Sequence, residues 1–149
     1  VELFLKNLGI EPLLSDIMSS DEIVTTSSVI KINGMEIKRI NAIPYTTIEE
    51  YVRLNENMSA QEVIDIWSPF KKYSTHSWIV ANKEELDNMK PRYANYSYKI
   101  DCKDGTSLWV NKDGWMHHPA NPGYRDTIKE FIDAVNEASL GITITEEPV

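Results

Sequence analysis

The chain has 149 residues, 42% of them hydrophobic, enough to bury a core without disulfide or metal staples, and one compact domain over 1–149 is the expectation. A net charge of −8 argues against a polyanion-binding surface spread over the whole molecule. The single cysteine, Cys102, excludes an internal disulfide; with no signal-peptide apolar region and no run able to cross a bilayer, the reading is a cytoplasmic protein with no membrane partner.

The first twenty residues carry Leu3, Phe4, Leu5 and Leu8, then Leu13, Leu14, Ile17 and Met18, which predicts two short helices meeting at Gly9. Val29 to Ile32 and Met35 to Ile40 alternate apolar and polar residues around Asn33-Gly34, the strongest short hairpin signal in the chain. After Pro44, Thr46 or Thr47 is expected to cap a helix ending near Leu54. The polar stretch 55–59 is the best place for a subdivision, if the chain has one. Ser59 and Glu62 form a capping box for a helix with Val63, Ile64 and Trp67 on one face, limited by Pro69.

His76 to Ala81 reads as a strand, and Asn82 as the cap of a short helix that Pro91 stops. From Tyr96 to His118 the pattern is a meander. One strand carries Tyr96, Tyr98 and Ile100, a second Leu108 to Val110, and a third Trp115 to His117, with turns at Asp104-Gly105 and Asp113-Gly114. Asn121-Pro122 then opens a long C-terminal helix through Ile128, Phe131, Ile132 and Val135, closed by Gly141 and followed by a short edge strand over Ile142 to Thr145 and an acidic tail. Because both hairpins are antiparallel and no regular βαβ alternation occurs, the fold class is α+β: a twisted antiparallel sheet of five to seven strands, built from two hairpin or meander units, with helices packed against it.

All four tryptophans, all three histidines and the cysteine lie between Ile66 and His118, where eight basic residues face six acidic ones in an otherwise acidic chain. Aromatic rings interleaved with cations on a β-surface serve as anchors of a protein interface or as stacking platforms for nucleic-acid bases. The predicted contact residues are Trp109, Trp115, Tyr98, Tyr96, Lys99, Lys112, His117, His118 and Tyr124, the last three flanking the Pro- and Gly-containing loop 118–123. Core packing is the competing explanation for the same aromatics.

No Gly-rich phosphate loop, nucleophile elbow or metal-ligand spacing occurs, so no catalytic residue, metal site or cofactor is assigned. His117 and His118 would point to opposite faces of a strand. The expectation is therefore a binder rather than an enzyme: a regulatory, inhibitory or immunity-type factor with a protein partner and an oligomeric state that the sequence leaves open. Its Ile-, Lys- and Asn-rich composition fits an AT-rich phage or mobile-element source. The alternatives are a nucleic-acid binder using the same patch, and a metal-dependent hydrolase built on His76, His117 or His118 with Asp101 or Asp113.

Overall fold

The computed structural model describes residues 28–118 and 123–148. The two helices expected over the first twenty residues, and most of the 118–123 loop, lie outside the described residues. What is described is an α+β arrangement of two three-stranded antiparallel sheets and five helices.

The first sheet starts from the Asn33-Gly34 hairpin. Asn33 at φ 48° and Gly34 at φ 85° both adopt left-handed conformations, as the tight turn between β1 (Ser28–Ile32) and β2 (Met35–Ile37) requires. The final strand, β6 (Ile144–Pro148), pairs with the other edge of β1, so the order is β2-β1-β6. The edge strand expected at 142–145 thus exists, but it begins two residues later and runs through the acidic tail, where Lys31 sits 3.5 Å from Glu147 across the ladder. No described helix is long and apolar enough to cross a membrane.

Helix α1 spans Ala42–Leu54, starting before the predicted Thr46 or Thr47 cap. Pro44 is tolerated in its first turn, where a backbone N–H has no acceptor within the helix. Thr47 is instead an interior residue whose buried hydroxyl donates to the Ile43 carbonyl at 2.7 Å. Helix α2 (Ala60–Trp67) carries the expected capping box, with Ser59 Oγ accepting from Glu62 N and Glu62 Oε1 accepting from Ser59 N. Pro69 then tightens the chain into a 3-10 turn, Ser68–Tyr73.

The strand predicted at 76–81 shrinks to β3 (Val80–Ala81), because Ser77 takes φ 62° and interrupts the extended backbone. Asn82 caps α3 (Lys83–Asp87), and Pro91, expected to stop that helix, opens a further turn, α4 (Pro91–Ala94). β4 (Ser97–Asp101) and β5 (Ser107–Asn111) form the predicted hairpin.

The third meander strand at 115–117 does not form. Trp115 turns into the core, and Met116 bonds instead to Thr127 and Ile128 at the start of α5. Its place on β5 is taken by β3 from upstream, giving the order β3-β5-β4. The last helix, α5 (Thr127–Glu137), has 11 residues; it is not long, and it begins at an Asp126 cap rather than at Asn121-Pro122. Among the described residues the architecture is thus two sheets of three strands, not one of five to seven.

One hydrophobic cluster draws on both sheets, with Ile30 and Ile32 from β1, Leu108 and Val110 from β5, Trp67 from α2 and Phe131 from α5. Trp115 meets Phe131 edge-on at 5.5 Å. Since strand residues alternate faces, Trp109 points the other way from Leu108 and Val110, into a second, smaller cluster with Trp78, Ala81 and Leu86 beneath α3 and α4.

Candidate binding surface

The outer face of the β3-β5-β4 sheet is where aromatic and cationic side chains meet. Trp109, at the centre of β5, lies opposite Ala81 on β3 and Lys99 on β4. Its ring is half-buried, and two ammonium groups flank it, Lys83 Nζ at 5.9 Å and Lys99 Nζ at 5.8 Å from the centroid. Such placement over an indole is attractive, because the ring quadrupole presents a negative face to the cation. Each lysine also has a carboxylate, Asp87 at 2.9 Å from Lys83 and Asp101 at 3.7 Å from Lys99, so the face is close to charge-balanced. Ser107 Oγ donates to Asp101 at 2.7 Å and completes the polar margin. Tyr96, 54% exposed, stands just before β4, and its carbonyl accepts from Lys112 N.

The nine predicted contact residues therefore do not share one surface. Trp109 and Lys99 occupy the outer face, with Tyr96 and Lys112 at one end of the β4–β5 hairpin. Tyr98 faces the opposite way, stacked on Tyr45 at 4.1 Å and donating its hydroxyl to Glu49. Burial pushes its phenol above the ordinary range, and the Glu49 carboxylate adds to the shift. Trp115 is 4% exposed and belongs to the core, where its indole N–H donates to the Asn111 carbonyl. It offers no outward surface. His118 and Tyr124 form a separate ring contact at 5.4 Å beside the start of α5, with Tyr124 67% exposed.

His117 is a clamp. Its side chain is 1% exposed, with Nδ1 2.9 Å from Asp126 Oδ2 and Nε2 2.9 Å from Glu146 Oε2. Both carboxylates are satisfied together only when both nitrogens carry hydrogens, or when one carboxylate holds the proton. Asp126 in turn accepts from the backbone N–H groups of His118 and Lys129. Burial raises the Asp126 carboxyl, but the His117 bond and the two backbone donors outweigh it and hold the group below the ordinary aspartate range. With both ring nitrogens occupied, His117 joins the 115–118 segment, the cap of α5 and β6, and has none left to move a substrate proton.

The residues of the hydrolase alternative are spread across different contacts. His76 rests against the Tyr93 ring at 5.1 Å, Asp101 is held by Ser107 and Lys99, and the carboxylates on His117 are neither Asp101 nor Asp113. Among the described residues no group of three or more His, Cys, Asp or Glu could hold a metal ion. Cys102 is buried, and that burial, reinforced by Asp104, pushes its thiol up, away from the reactive thiolate.

Lys83 was not among the predicted contacts. The available signal was the Asn82 cap directly after the β-branched run: a helix starting there must fold back over the sheet face that Trp109 shares. Asp126 and Glu146 were missed as His117 partners because their pairing is set by tertiary contacts. The chain matches no protein-family model, no curated protein and no solved structure.

Proposed function

We propose that this protein acts by binding another protein through the outer face of the β3-β5-β4 sheet, as a regulatory, inhibitory or immunity-type factor. The observation that carries the reading is Trp109, left half-buried at the centre of a sheet face between Lys83 and Lys99. A large, rigid ring with cations at its edges is the composition of an interface anchor. Carboxylates beside both lysines favour a protein over a nucleic acid, since phosphate binding needs an uncompensated excess of cations.

The test is affinity capture from native-host lysate, with and without nuclease, using the wild-type chain and Trp109→Ala in parallel. The expected result is a protein that survives nuclease and is lost from the variant. A partner set that the variant retains in full, or that nuclease abolishes, overturns the reading.

A further inference from the structure

β4 is an edge strand: among the described residues it pairs only with β5. Which of its backbone groups point outward follows from the ladder. Cys102 N donates to Thr106 O just beyond one end, and Lys112 N to Tyr96 O just beyond the other. Antiparallel bonding alternates along a strand, so Tyr98 and Ile100 turn their N–H and C=O toward β5, while Ser97, Lys99 and Asp101 turn theirs away from it. This edge borders a cleft of about 730 Å³ with Met35, Glu49, Arg53 and Lys103 among its lining residues.

An exposed edge of this kind is a template for another strand, and a lysine on it normally discourages pairing by setting like charges together. Here the lysine alternates with an aspartate. In an antiparallel pair of identical strands related by a twofold axis at Lys99, the two ammonium groups would oppose each other. With the axis at Ile100, Lys99 of each copy lies opposite Asp101 of the other, and the outward backbone groups of both residues are in register to bond. Opposite charges directly across a ladder stabilise it and like charges destabilise it, so the side chains select the second register.

We propose that two copies of this chain associate through their β4 edges about a twofold axis at Ile100, joining two β3-β5-β4 sheets into one six-stranded sheet. The Lys99–Asp101 pair within one copy, 3.7 Å apart and exposed on both sides, is a weak interaction that exchanges readily for the two between copies. A strand added about 4.8 Å from β4 enters the neighbouring cleft. In the dimer the outer faces become continuous, and each Trp109–Lys99 pair adjoins Asp101 of the second copy. The proposal rests on the strand edge and does not depend on the function proposed for the Trp109 face.

The test is sedimentation velocity on the full chain from micromolar to millimolar concentration, with folding checked by circular dichroism. Wild type is expected to show a concentration-dependent dimer. Lys99→Asp, which sets a carboxylate against Asp101 of the second copy twice over, should weaken it about tenfold or more, and Asp101→Lys should do the same. The double variant Lys99→Asp/Asp101→Lys should restore it. A wild-type chain that stays monomeric throughout, a dimer indifferent to the single changes, or a double variant no better than either single one overturns the proposal.

Discussion

Asp126 does two jobs for His117 at once: Oδ2 meets the buried Nδ1 at 2.9 Å, while Oδ1 accepts from Lys129 N at 2.8 Å and so caps α5. The imidazole is therefore held by the same side chain that starts the last helix. Replacing it with leucine leaves the Asp126 carboxylate partly buried with only its backbone donors and removes the His117 contact to Glu146. His117→Leu is expected to lower unfolding stability by about 2 kcal/mol, the scale for removing a hydrogen-bond partner from a buried polar group. Urea unfolding of wild type and variant measures it.

The same contact makes stability depend on pH in a definite direction. The Asp126 pKa is lower folded than unfolded, so its contribution is complete above the unfolded value, near pH 4, and disappears as pH falls through the lower folded value. Asp126→Asn should therefore be less stable than wild type at neutral pH, and the gap should narrow as pH falls below about 4. A gap that stayed constant over that range would show that Asp126 is not the linked group.

Two glycines with similar backbone angles separate conformational strain from crowding. Gly105 sits at φ 90° with open space where a Cβ would project, whereas at Gly114, φ 82°, a Cβ would meet Thr75 Oγ1 at 2.8 Å and His76 Cγ at 3.1 Å. Gly105→Ala is expected to cost about 1 kcal/mol, from the left-handed conformation alone. Gly114→Ala should cost clearly more, since Ser74, Thr75 and His76 must shift. Paired thermal melts give the comparison.

Trp115 and Trp109 should respond differently to truncation. Trp115→Ala removes a core ring packed on Phe131 and should destabilise by about 4 kcal/mol. Trp109→Ala, on the half-buried outer face, should cost less than half of that. Equal losses would mean that Trp109 is as much a core residue as Trp115.

Local chemistry was readable along the chain. The Asn33-Gly34 turn, the Ser59–Glu62 box and the Asn82 cap depend on side chains within four residues of one another, and each formed as its residues dictate. What sequence left hidden is long-range. Trp115 alternates with His117 as a strand residue would, yet its ring gains more by packing on Phe131 than the segment would gain from a third ladder. The same pull sends Tyr98 to the core face and Lys99 to the outer one, dividing a cluster that looks continuous in sequence. Pro91 illustrates a different ambiguity, since a proline that cannot continue a helix fits well at the start of one.

Asn33 and Thr143, 110 positions apart, exchange bonds at the end of the β1–β6 ladder, from Asn33 N to Thr143 O and from Thr143 N to Asn33 Oδ1. A ribosome must therefore release nearly all of these residues before β1 gains its second neighbour, whereas the β4–β5 hairpin can close as soon as its own short loop has emerged. Folding is accordingly expected to order the sheet that carries Trp109 first and to complete the other last, with the His117 clamp closing only when Glu146 arrives.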